Sequence, residues 1–300
     1  MTTAASSMRI ADALRWFVAG ERVALRSLLA GTLGKAGVRP AVGAFLRPLT
    51  APSRYPEYEL VLEQLRSLEL DDAATWLLDV GSPKLFALLL AARTRATVVA
   101  TDIWDMPLKE IEALRGGLDP DADARFRLGV ADVRQPLPDA LLPPGGLFSG
   151  VFSMSVIEHV EPNPGGDRIA LRRMAEVTRP GGMVVVSVPV DGQARSDYMQ
   201  GEVYGREAAR EPLFSQRVYD AEALRGLVGS AEDLLELESC VVCAWPEHLL
   251  LRLQPRFPTA IGFVGASFPW IADRFLIGRP AREIPEIDGP GDAILRFRRR

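Results

Sequence analysis

A chain of 300 residues with 48% hydrophobic and 25% charged residues is long enough to bury a core without disulfide or metal staples and too apolar to be mainly disordered. A net charge of −4 argues against a general nucleic-acid binder, which needs a basic footprint to neutralise phosphates. The charge is uneven: residues 1–56 hold eight Lys or Arg against two Asp or Glu, which leaves −10 on the remainder.

That basic stretch, broken by Gly31, Gly34, Pro40 and Pro48, reads as a helical N-terminal extension over 1–56. No secretory signal is visible, and the expected location is cytoplasmic. From residue 57 to 243 strands and helices alternate. A helix is expected over 58–68, a buried strand over 76–80, a helix over 85–93 and a strand over 97–101. Next come a helix over 106–115, a strand over 125–130, a strand over 150–154, a helix over 168–178 and a strand over 183–188. Such alternation predicts right-handed βαβ crossovers and an α/β fold, a doubly wound, mostly parallel sheet of seven strands covered on both faces. Beyond it lie a polar loop, a helix over 221–228 and a late strand. Residues 244–285, rich in leucine, proline and aromatics, read as a helical insertion that covers the site, dimerises or rests weakly on a membrane surface. The uncharged run 257–272 falls short of the roughly 20 residues of a spanning helix. Residues 286–300 close the sheet with a strand over 292–297, entered through Gly289-Pro-Gly291.

Cys240 and Cys243 form a C-x-x-C without a second pair or a histidine pair. Their alternating flanks predict a buried structural pair rather than a metal or redox site. His248 lies in an apolar stretch and reads as packing.

In doubly wound sheets ligands bind beyond the carboxyl ends of the strands, near the reversal of strand order. Polar residues at those ends are therefore informative. Leu78-Asp-Val-Gly-Ser-Pro-Lys84 follows the first strand, Asp102 and Ile103 end the second, and Asp132 and Val133 follow the third. The fourth strand and its turn are Phe148-Ser-Gly-Val-Phe-Ser-Met-Ser-Val-Ile-Glu-His-Val160, and Thr178-Arg-Pro-Gly-Gly-Met-Val-Val-Val-Ser187 launches the fifth.

Over about 130 residues these motifs resemble the class I S-adenosylmethionine-dependent methyltransferases that act on small molecules. The resemblance implies S-adenosylmethionine as cofactor. Asp79, Gly81 and Ser82 match the first motif, with Pro83 and Leu85 where the family has glycines. Asp102 is implied to take the ribose hydroxyls, Asp132 the adenine amino group, and Ile103, Val133 and Ser153 to flank them. Proline lacks an amide hydrogen, so the loop is expected to present the amides of Ser82 and Lys84, with Leu85 packing inward. Glu158 and His159 lie where family members touch substrate. His159 reads either as a general base or as a residue that orients the loop. Tyr198, Tyr204, Phe214, Arg217 and Tyr219 are candidates for the acceptor wall, each with simple packing as the competing reading. No metal site is expected. The lack of an Asn/Asp-Pro-Pro-aromatic motif after the fourth strand points to a small-molecule acceptor and away from nucleic acid. The competing readings are a relative of the fold that does not methylate, or a peripheral membrane or scaffold protein.

Overall fold

A computed structural model describes residues 54–203, 206–207, 211–244, 276–277 and 280–300. The expectations for residues 1–53, for Tyr204 and His248 and for most of 244–285 lie outside these residues. In chain order the elements are α1 (Arg54–Leu65), β1 (Trp76–Val80), α2 (Lys84–Arg93), β2 (Thr97–Asp102), α3 (Asp105–Arg115), α4 (Pro120–Arg125) and β3 (Phe126–Val130). Then follow β4 (Phe148–Met154), α5 (Gly166–Glu176), β5 (Thr178–Val190), β6 (Arg195–Met199), β7 (Glu202–Val203), β8 (Arg206–Glu207) and β9 (Leu213–Val218). The last are α6 (Ala221–Gly229), β10 (Leu235–Ala244), β11 (Leu276–Ile277) and β12 (Gly291–Arg299).

The seven expected strands and the two-residue β11 form one sheet of order β11-β10-β12-β5-β4-β1-β2-β3. The five strands β3, β2, β1, β4 and β5 are parallel to one another, and β12 is antiparallel to both β5 and β10. The chain first winds outward from β1 through β2 to β3, then crosses back to place β4 on the other side of β1. The crevice between β1 and β4 is therefore the topological switch point.

Side chains alternate between two cores, as a sheet covered on both faces requires. In β5, Met183 and Val185 face the core under α1 and α2, whereas Val184, Val186 and Val188 face the core under α5 and α6. α1 buries Tyr58, Val61 and Leu65, a three-to-four-residue spacing that makes one helical stripe. α5 buries Ala170, Leu171, Met174 and Ala175 in the same way. In the first core the ring of Phe86 meets Phe152 edge-on at 5.4 Å, a favoured aromatic geometry.

Three local expectations are corrected. The helix expected over 168–178 ends at Glu176, and Pro180-Gly-Gly182 belongs to β5, where the β4 register shifts between Phe148 and Gly150. Proline survives there because the irregular pairing asks for no amide from it. α4 was not expected, although Asp119 caps it by accepting the Ala122 N–H at 2.8 Å and Pro120 follows at the first helical position. The polar loop after β5 contains a two-stranded antiparallel ribbon of β6 and β9.

Cys240 and Cys243 lie on β10 and are buried, one in each core. Burial pushes both thiols up to about 12, which disfavours thiolate chemistry.

Phe152→Ala is expected to lower stability by about 3–5 kcal/mol, the usual cost of emptying a buried aromatic site. Glu222→Ala, at an exposed position of α6, should stay within about 0.5 kcal/mol. Urea denaturation of both variants checks the difference.

Candidate functional site

The carboxyl ends of β1 to β4 surround a cavity of about 480 Å³, within the range of small-molecule sites of about 300–1,000 Å³. Gly81 forms its floor with φ at +70°. A Cβ there would stand 2.6 Å from Val156 Cγ1, so both the left-handed backbone and the close approach demand glycine. The turn is shaped from behind by Asp79, which is fully buried and accepts the Ser82 N–H at 3.1 Å through Oδ1. Ser82 Oγ in turn accepts the Met154 N–H at 2.8 Å, tying the first loop to β4. Pro83 precedes the first residue of α2, and Leu85 packs inward, 6% exposed.

Asp102, Ile103, Asp132 and Val133 line the cavity together with Gly81. Three other residues expected to touch cofactor lie behind it. Asp79 and Ser82 build the turn, and Ser153 is fully buried with its hydroxyl donated to the Val80 carbonyl at 2.9 Å. The Ser82 amide is thus already spent inside the turn rather than presented to a ligand. Asp102 holds the backbone beyond β2 by accepting the Trp104 N–H at 3.1 Å, which leaves Ile103 and Trp104 on the cavity rim.

The sequence reading missed Arg134. Its guanidinium grips Asp132 in a forked pair, Nε to Oδ1 at 2.9 Å and Nη2 to Oδ2 at 2.6 Å, while Nη1 donates to the Glu161 carbonyl at 3.2 Å. The fork spans the cavity mouth from the β3 loop to the loop after β4. Its side-chain hydrogen bonds hold the Asp132 carboxyl below the usual carboxylate range, against a smaller effect of burial. Only the short interval from Asp132 to Arg134 hinted at this pair.

Beyond β4, Ser155 lines the cavity with φ at +49°, a conformation that costs a non-glycine residue about 1–3 kcal/mol. It is held there by three bonds. Its N–H donates to the Ser187 carbonyl and hydroxyl, both at 3.1 Å, and its hydroxyl donates to Glu57 Oε1 at 2.9 Å. The Ser187 hydroxyl reaches the same Glu57 oxygen. Nothing in the sequence flagged Glu57, a carboxylate of α1 that acts across 98 residues of chain.

His159 reaches the cavity, whereas Glu158 is buried beside it with Oε1 3.5 Å from His159 Nε2. His159 Nδ1 faces the Ser215 carbonyl at 2.6 Å. A carbonyl only accepts, so Nδ1 carries the hydrogen and Nε2 is the nitrogen able to take a proton. The acceptor-wall candidates scatter. Tyr198 is 56% exposed on β6 and stacks edge-on with Phe214, and its hydroxyl accepts from Asn163 Nδ2 at 3.3 Å. Tyr219 is buried and donates its hydroxyl to Asp167 Oδ2 at 2.9 Å. Burial, with Asp167 adding to it, raises that phenol well above its ordinary value. Arg217 is buried against the loop after β4. Neither Tyr219 nor Arg217 lines the main cavity; both face a separate recess by α5.

The Asp132 shift has a testable sign. A carboxyl depressed in the folded state stabilises above its unfolded value of about 3.9, and that contribution is lost as pH falls through the lower folded value. Because the pair is partly exposed, the size should be under about 1 kcal/mol. The stability gap between wild type and Arg134→Ala should therefore be widest above about pH 5 and narrow progressively as pH falls below about 3.9 in urea titrations. A gap that does not change with pH overturns the pairing.

Residues 78–186 match the family profile described as a methyltransferase domain. Among curated proteins no sequence matches. Solved structures similar to this chain include the [4+2]-cyclase SpnF, 17% identical over 80% of each chain with a TM-score of 0.47. Another is phosphoethanolamine N-methyltransferase 2 of Haemonchus contortus, 16% identical over 81% of this chain and 52% of that one, with a TM-score of 0.49. A third is a putative sarcosine dimethylglycine methyltransferase from Galdieria sulphuraria, 12% identical over 81% of this chain and 84% of that one, TM-score 0.48. The profile match runs from β1 into β5, the strands whose carboxyl ends build the cavity, so residues 78–186 form a methyltransferase domain on the class I fold.

Proposed function

We propose that the protein methylates a small organic acceptor at an oxygen, nitrogen or carbon nucleophile, with His159 as the group that accepts the acceptor's proton. The observation that carries this reading is one cavity shared by Gly81, Asp102 and Asp132 on one side and His159 on the other. The donor set fits the cofactor. A carboxylate at Asp102 suits a vicinal diol, and Asp132 has acceptor capacity suited to an exocyclic amine. The floor at Gly81 is a cradle that any Cβ would fill.

The cofactor supplies an electrophilic methyl group on a sulfonium sulfur. The protein's own work is then placement: the strand ends would hold donor and acceptor side by side in one cavity, and such alignment can supply about 7–11 kcal/mol of the barrier. Where the acceptor atom bears a proton, His159 Nε2 takes it as the new bond forms. The Glu158 carboxylate and the Ser215 carbonyl then stabilise the charge that develops on the ring. An acceptor whose nucleophile carries no such proton would need only the alignment.

Nucleic acid is a poor fit for a protein of charge −4. Among the described residues no helix is long and apolar enough to cross a membrane.

S-adenosylhomocysteine should bind and raise the melting temperature, since any ligand of the native state does. Asp102→Ala should weaken that binding by about 1.5–3 kcal/mol, the scale of hydrogen bonds to a charged group, with circular dichroism unchanged. Isothermal titration of both proteins checks this, and equal affinity in the two would remove Asp102 from the site. Incubating the enzyme with S-adenosylmethionine and a library of hydroxylated and amine-bearing small molecules, read by mass spectrometry, should reveal methylated products. Their absence from every acceptor class, alongside no heat of cofactor binding, refutes the proposal.

A further inference from the structure

We propose that Arg217 is a positioning residue for His159: from the β6–β9 ribbon it staples the loop after β4, so that the ring meets the Ser215 carbonyl through Nδ1 and keeps Nε2 as the proton acceptor. This rests on the reading of His159 as the base.

The ribbon is not part of the main sheet, so its pairing is not what the fold rests on. Yet β9 carries a guanidinium that is almost wholly buried. Nη1 donates to the carbonyls of Glu158 at 3.0 Å and Val160 at 2.8 Å, and Nη2 donates to the Pro162 carbonyl at 2.6 Å. Those three carbonyls belong to the five residues that carry His159. A planar fork with fixed donors can hold three backbone oxygens at once, whereas an ammonium acts from one point. Two residues earlier on the same strand, the Ser215 carbonyl receives His159 Nδ1. β9 therefore fixes both the loop backbone and the imidazole ring.

The charge is balanced locally. Asp167, at the start of α5, places Oδ1 3.7 Å from Arg217 Nε while its other oxygen accepts the Tyr219 hydroxyl. The guanidinium also lies over the Phe214 ring at 4.7 Å, a favourable face for a cation. The loop is also pressed against the first turn of α5, where a Cβ on Gly166 would stand 2.1 Å from the Val160 carbonyl oxygen. The loop is held by α5 and Arg217 together, and His159 projects from it to the cavity. An apolar residue at 217 could fill the space, but it would leave the carbonyls of Glu158, Val160 and Pro162 without this donor.

Nuclear magnetic resonance of the 15N-labelled protein tests this directly, because the chain has two histidines and His159→Gln assigns the signal by its disappearance. At a pH where the ring is neutral, wild-type His159 should show the Nδ1-protonated tautomer. Arg217→Lys, which keeps charge but loses the fork, should shift the population toward the Nε2-protonated form while S-adenosylhomocysteine still binds. If Arg217→Lys does not fold, the wild-type spectrum remains decisive: an Nε2-protonated ring overturns the proposal. So does an Arg217→Lys protein that folds and keeps the wild-type tautomer. With an acceptor in hand, Arg217→Lys should lower kcat about tenfold or more at little change in KM, part of the about 10²–10⁴-fold that a positioned base supplies. Loss of cofactor binding in wild type would refute the functional reading without touching the tautomer. If His159→Gln turns over at the parental rate, the base role and the positioning role fall together.

Discussion

The close approach of β1 to the loop after β4 is the constraint on which the site depends. Gly81 turns left-handed with its α-carbon against Val156, and no side chain fits between them. This contact lies at the switch point, where the first β-α-β half of the sheet diverges from the second. Widening it would separate the strand-end acids of β2 and β3 from the loop that bears His159. The buried bonds behind the turn, Asp79 to Ser82 and Ser82 to Met154, keep it narrow. They also explain how a first loop with Pro83 and Leu85 in place of glycines holds its shape. The curvature comes from one glycine and two side-chain bonds, and Leu85 is released to the hydrophobic core.

Much of the polar chemistry around the cavity holds backbone rather than ligand. Glu57 fixes Ser155 in a strained conformation, Arg134 links the loops after β3 and β4, and Arg217 gathers three carbonyls of the second loop. The strand ends supply positions, and loops are free to vary, so precision has to come from bonds between them. Each of these residues is bound to a loop other than its own. The arrangement is that of a rigid, preorganised site, which suits a reaction whose barrier is lowered chiefly by alignment.

The sheet was legible from the sequence because its signal is local. Runs such as 97–101 and 183–188 are apolar on both faces, and only a covered parallel strand needs that. The strand-end carboxylates followed from the same reading, since topology alone places them together, and Asp102 and Asp132 do line the cavity. What was illegible is the direction in which a strand-end side chain points. Asp79 and Ser82 differ from Asp102 only in facing inward, and Ser153 faces the β1 backbone. One residue of register decides each case, and the sequence does not carry that register. The β6–β9 ribbon was hidden for another reason: β6 is largely exposed and polar, β9 is mostly buried without alternating, and the register shifts between Asp197 and Tyr198. Glu57 and Arg217 act on residues 98 and 55 to 59 positions away, beyond any spacing rule.

The ribbon's position gives those long-range bonds a common purpose. Segments that choose an acceptor must differ between enzymes of one fold, whereas the proton acceptor must stay aligned with the methyl donor. In the proposed mechanism β9 serves the second requirement through the His159 loop. Its outer neighbour Tyr198 is exposed and stacks on Phe214, while Ser215 and Arg217 face the His159 loop. Phe214 also supports the Arg217 guanidinium, so one ring joins the exposed face of the ribbon to the residue that holds the His159 loop. Packed cores and buried hydrogen-bond networks shift between discrete arrangements rather than deforming smoothly. The Arg217 network therefore holds the His159 loop in one arrangement rather than a range of them, which is what the proposed alignment of proton acceptor and methyl donor needs.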